Sequence, residues 1–109
     1  MYNEKLAEKA DNLISLIKEY WDENVLVADT SFPPYPFDAF NLRLILYGKF
    51  HVVCEYERST LGFYLQEDDT LIGLSKIAAE TVYKGFDSYH TKDNILHNFK
   101  VLDGVLKTR

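Results

Sequence analysis

The stretch FNLRLILYGKFHVVCEYE, residues 40–57, decides how this chain folds. Phe40, Leu42, Leu44 and Leu46 alternate with Asn41, Arg43, Ile45 and Tyr47; after Gly48, Phe50, Val52, Cys54 and Tyr56 alternate with His51, Val53, Glu55 and Glu57. A period of two sends successive side chains to opposite faces, so both halves read as strands joined by a hairpin turn. A two-residue turn at Gly48-Lys49 would set Leu42 beside Glu55 and Leu46 beside His51, mixing the faces. Pairing Leu46 with Phe50, Leu44 with Val52 and Leu42 with Cys54 keeps one face apolar, which predicts a three-residue or bulged turn.

Working toward the C-terminus, Leu61 to Gln66 supplies a third strand, with Phe63 and Leu65 expected opposite Tyr56 and Cys54. Asp69 or Thr70 can then cap a helix whose stripe is Leu71, Leu74, Ala78, Val82 and Phe86, with Ile72, Ile77 and Tyr83 off the stripe. A last helix begins near Thr91, buries Ile95, Phe99, Leu102 and Leu106, and weakens at Gly104. Toward the N-terminus, Asn24 to Ala28 is a short β-branched run compatible with a strand. It precedes the loop Asp29 to Asp38, in which Pro33, Pro34 and Pro36 forbid helix. Leu6, Ala10, Leu13, Ile14, Ile17, Tyr20 and Trp21 recur at helical spacing before it. The expected architecture is a single α+β domain over residues 1–109: an N-terminal helix, a three-stranded antiparallel meander, and two C-terminal helices packed on one sheet face.

Composition narrows the function. Hydrophobic residues are 47% and aromatic residues 15% of the 109, enough to build a core, and this excludes a disordered chain. With 12 Lys+Arg against 17 Asp+Glu the formal charge is −5, which disfavours nucleic acid and favours a basic protein surface as partner. Cys54 is the only cysteine, the first 24 residues are too charged for a secretory leader, and no apolar run approaches a membrane span. The cytoplasm is the expected address.

Candidate chemistry is sparse. His51, His90 and His97 fall on a polar strand face, before a helix and on the solvent side of a helix. None has the spacing of a zinc ligand pair, so surface or capping roles are expected. Cys54 lies on the apolar face, an environment opposed to a reactive thiolate. Glu55, Glu57, Glu67, Asp68 and Asp69 lack the spacing of a calcium loop, and no glycine-rich phosphate loop is present. The expectation is a non-enzymatic protein without metal or cofactor.

Two surfaces remain. The polar sheet face carries Asn41, Arg43, Ile45, His51, Val53, Glu55, Glu57, Tyr64 and Gln66. Of these Arg43, Ile45, Val53, Glu55, Glu57 and Tyr64 make an apolar, aromatic centre with a charged rim, as protein interfaces do. The aromatic and proline-rich loop around Tyr35 is the second candidate, because rigid side chains lose little entropy on binding.

The run from His51 to Arg58, followed by Phe63-Tyr64-Leu65 and by Asp68 to Leu74, resembles small immunity proteins of bacterial polymorphic toxin systems, in which a strand ending in Glu-Arg precedes another strand and an acidic, leucine-rich helix start. Here Glu57-Arg58 and Asp69 to Leu74 stand in those places, whereas Ser59 replaces a glycine of that pattern. The likeness covers about a third of the chain. It implies a cytoplasmic antidote that binds a basic toxin domain. The alternative is a small acidic dimeric secretion or assembly chaperone, using Ile72, Ile77 and Tyr83 as a dimer surface, so a monomer or a homodimer is expected accordingly.

Overall fold

The computed structural model describes residues 4–32, 39–57, 60–77 and 92–109. Its elements in chain order are α1 (Glu4–Trp21), a short 3-10 turn (Asp22–Asn24), β1 (Val25–Ser31), β2 (Ala39–Leu46), β3 (Phe50–Glu57), β4 (Thr60–Glu67), β5 (Thr70–Gly73), α2 (Leu74–Ile77) and α3 (Lys92–Lys107). The strands form one five-stranded antiparallel sheet in the order β1-β2-β3-β4-β5. The α+β class, the N-terminal helix and a C-terminal helix agree with the sequence reading; the numbers of strands and helices do not.

The β2–β3 pairing is the one the alternation demands: Leu46 opposite Phe50, Leu44 opposite Val52 and Leu42 opposite Cys54. Three residues make the turn. Lys49 N donates to Leu46 O at 3.1 Å, and Tyr47 and Gly48 both take left-handed backbone, with φ of 55° and 71°. A tight turn between right-twisted strands requires that conformation, and Gly48 adopts it without steric cost.

The β3–β4 register differs from expectation by two residues. Phe63 faces Cys54, Leu65 faces Val52 and Leu61 faces Tyr56. A shift of two preserves every side chain's face, so hydrophobic patterning cannot discriminate between the two registers. Glu57 pairs with Thr60, leaving only two residues between the strands, and that short connection sets the pairing.

A second correction follows at Asp68-Asp69. Instead of capping a helix, these residues turn the chain into a fifth strand: Glu67 pairs with Thr70 and Leu65 with Ile72, with Asp68 at a left-handed φ of 54°. Aspartate tolerates that conformation and favours turns, so its role as a turn former overrides its role as a helix cap. The helix begins only at Leu74 and is described to Ile77; Ala78, Val82 and Phe86 of the expected stripe and Tyr83 beside it lie outside the described residues, as do His90 and Thr91. The β-branched run after Asn24 is a full strand, β1, with a bulge between Val27 and Asp29. The last helix continues through Gly104 to Lys107, and His97, expected on its solvent side, is half-buried.

Both long helices pack on the same sheet face. Leu6, Ala10, Leu13, Ile17 and Trp21 of α1 and Phe99, Leu102 and Leu106 of α3 join Leu42, Leu44, Leu46, Val52, Cys54, Phe63 and Leu65 in one buried cluster. Phe99 sits at its centre, with ring centroids 4.9 Å from Trp21, 5.6 Å from Tyr20 and 5.9 Å from Phe63.

One polar group is built into this seam. Asp103 of α3 is 8% exposed; its Oδ1 accepts from Trp21 Nε1 at 3.0 Å and from the Tyr47 hydroxyl, and its Oδ2 faces Lys107 Nζ at 3.0 Å. Burial pushes the Asp103 carboxyl upward, but the hydrogen bonds from Tyr47, Trp21 and Lys107 outweigh it and hold the pKa below the usual aspartate value. The carboxylate therefore stabilises the fold at neutral pH, and this contribution is lost as pH falls through its depressed folded value.

Two outcomes are expected. Asp103→Ala should cost about 2 kcal/mol in urea unfolding at neutral pH, because the buried Trp21 Nε1–H loses its acceptor. Asp103→Asn should flatten the acid limb of the stability profile relative to wild type; an unchanged acid limb would deny Asp103 its role. Cys54 is wholly buried, with its thiol pushed up by burial, so in the native protein it should resist a bulky thiol reagent and react only after unfolding.

Candidate functional site

With α1 and α3 on one side, the sheet's other face is covered by neither of these helices. Opposite residues in antiparallel strands share a face, so its composition follows from the pairing. Leu26 lies beside Ile45, and Ile45 beside His51; Arg43 lies beside Val53, and Val53 beside Tyr64; Asn41 lies beside Glu55, and Glu55 beside Gly62; Gln66 lies beside Leu71. The expected face residues Arg43, Ile45, Val53, Glu55, Glu57 and Tyr64 are thus brought together on one surface. Tyr35 lies outside the described residues.

Their exposure is uneven. Arg43 and His51 are exposed, while Ile45, Glu55, Glu57, Tyr64 and Gln66 are half-buried. Val53 is only 5% exposed although it points away from the helices. Arg43 Nη1 reaches across β3 to donate to Gln66 Oε1 at 3.4 Å, so the Arg43 stem lies over Val53. Val53 is therefore the floor of this surface and not part of its accessible skin. Two apolar residues of the face had not been singled out from sequence: Leu26, 60% exposed on β1, and Leu71, 47% exposed on β5. Alternation within Val25-Leu26-Val27 could have revealed the first. The second was hidden by the helical reading of residues 70–73.

Tyr64 lies at the junction of the apolar and acidic parts. Its ring folds back over Gly62: a Cβ built there would meet Tyr64 Cε2 at 3.0 Å and its hydroxyl oxygen at 3.2 Å. That places the ring beside Glu55, which pairs with Gly62. Burial, reinforced by the negative charges of Glu55 and Glu57, pushes the phenol above its ordinary value. Among the described residues neither carboxylate has a cation partner.

A second concave feature, about 450 Å³, opens between α1, α3 and the Phe40–Tyr56–Leu61 end of the sheet. Leu13, Leu16 and Ile95 line it, Lys9 and Lys92 stand at it, and Lys9 Nζ lies 5.4 Å from the centre of the Tyr56 ring. These side chains include no acid–base pair and no activated nucleophile. Among the described residues no group of three or more His, Cys, Asp or Glu side chains is placed to hold a metal ion, and no helix is long and apolar enough to cross a membrane.

Comparison with protein-family models, with curated proteins and with solved structures gives no match to this chain.

The division between floor and skin can be measured. Val53→Ala should cost about 2 kcal/mol, as truncation of a buried side chain does. Leu26→Thr and Leu71→Thr should each stay within about 0.5 kcal/mol, because both residues face solvent and threonine keeps a strand former in place. Equal losses at all three positions in urea unfolding would mean that the face is covered in the free protein.

Proposed function

We propose that this chain is a binding protein that uses its open sheet face to engage and neutralise a basic protein domain, acting as an immunity protein toward a toxin. The observation that carries the proposal is a sheet face with exposed Leu26 and Leu71, a half-buried Tyr64, and two carboxylates without a described cation partner. Apolar side chains and an aromatic anchor supply contact area that releases water, whereas uncompensated negative charge directs the approach of a positive partner. The acidic balance of the whole chain, −5, acts in the same direction. The resemblance around Glu57-Arg58 and the lone, buried Cys54 fit an antidote working in the cytoplasm.

No observation favours the chaperone alternative. It rests on Ile72, Ile77 and Tyr83, off the main stripe of a helix, as a dimer surface, and Tyr83 lies outside the described residues. Ile72 is instead a half-buried strand residue opposite Leu65, and Ile77 packs against the core.

Charge and contact should separate kinetically. With a basic toxin domain as partner, Glu55→Lys combined with Glu57→Lys should slow association, and high salt should erase much of the difference. Tyr64→Ala should chiefly hasten dissociation and cost about 2 kcal/mol of affinity, as loss of a central aromatic anchor does. If all three changes left affinity intact while Tyr35→Ala abolished it, the binding surface would be the proline loop.

A further inference from the structure

We infer that the corner formed by Glu55, Glu57 and Tyr64 is the receptor for an arginine side chain of the partner; this rests on the reading that the sheet face is the binding surface. Glu55 and Glu57 are two apart on β3 and so project from the same face, about 7 Å apart as successive same-face residues of a strand are. Both are half-buried and neither is neutralised among the described residues, so they repel each other and gain from a cation placed between them. Among the described residues the nearby cations are engaged elsewhere. Arg43 extends toward Gln66, at the opposite end of the face from Glu57, and Arg109 pairs with Glu67.

The aromatic wall selects the kind of cation. Because Gly62 has no side chain, the Tyr64 ring can lie down over it, beside Glu55. A guanidinium can stack on that ring and direct its planar fork of N–H donors at a carboxylate at the same time. An ammonium is a strongly hydrated point charge and makes the ion pair without the stacking geometry. Gly62 is thus a positioning residue: a methyl group there would lie 3.0 Å from Tyr64 Cε2 and 3.2 Å from its hydroxyl oxygen, tight enough that the ring must give by a few tenths of an ångström.

The probes are an oligoarginine peptide and an oligolysine peptide of equal length, titrated into the full chain labelled for amide NMR. Oligoarginine should bind about threefold or more tighter than oligolysine and shift the amides of Glu55, Glu57, Gly62 and Tyr64 most. Glu55→Gln with Glu57→Gln should weaken oligoarginine about tenfold, whereas Glu8→Gln with Glu19→Gln, the same charge change on α1, should alter it less than about twofold. Tyr64→Leu should abolish the preference for arginine while leaving oligolysine binding nearly unchanged, and Gly62→Ala, which pushes on the ring without removing it, should reduce that preference; Tyr64→Leu carries this test if Gly62→Ala fails to fold. Equal weakening by the two glutamine pairs, or no preference for arginine, would overturn the inference. The wider reading has a separate readout: Leu26→Asp should weaken the toxin domain even if the arginine corner is disproved, and unchanged toxin affinity in Leu26→Asp would remove the sheet face itself.

Discussion

The Asp103 carboxylate accepts hydrogen bonds from Trp21 at the end of α1 and from Tyr47 in the β2–β3 turn, while facing Lys107 one turn further along α3. Three elements far apart in sequence meet at this group. A buried carboxylate is tolerable only when its oxygens are satisfied, so the node penalises any arrangement in which α1, α3 or the hairpin is displaced. The backbone reinforces it: Tyr47 N donates to Asn24 O at 2.7 Å, tying the exit from α1 to the same turn. Around it, Phe99 packs on Trp21, Tyr20 and Phe63, so polar and aromatic contacts fix the two long helices on one side of the sheet.

That constraint shapes the opposite face. With both long helices on one side, the side chains that point away from them are left for solvent or a partner. The face answers this in two ways. Arg43 lies over Val53 and bonds Gln66, which shields the centre, while Leu26 and Leu71 remain exposed on the two edge strands. Tyr64, whose hydroxyl end lies against Gly62, joins the apolar centre to the Glu55–Glu57 end. A surface with a shielded floor, apolar flanks and one acidic end is directional, and direction is what a selective binding face needs.

Local periodicity made the β2–β3 hairpin legible, because a slip of one residue there would put Glu55 and His51 into the core. The same reasoning could not separate two β3–β4 registers that differ by two residues, since both keep Phe63 and Leu65 inside. Residues 70–73 were misread because Leu71 and Leu74 suit a helix while Asp68-Asp69 suits both a cap and a turn; the pairing of Ile72 with Leu65 is a tertiary fact that no window of sequence contains. The acidic face residues were recoverable from strand alternation. The burial of Val53 under Arg43 was not, because it depends on a neighbouring strand. Asp103 looked like an ordinary polar residue of a helix, and its partner Trp21 is 82 positions away.

The central claim is that the helices guard one face of the sheet so that the other can bind. Hydroxyl-radical footprinting of the free chain and of its complex with a basic toxin domain, the proposed partner, tests it side chain by side chain. The account predicts ready oxidation of Leu26, Tyr64, Leu71 and Tyr20 in the free protein, with Leu42 and Cys54 inert. In the complex Leu26, Tyr64 and Leu71 should become protected while Tyr20, on the helical side, stays reactive. Protection of Tyr20 with continued oxidation of Leu26, Tyr64 and Leu71 would contradict it.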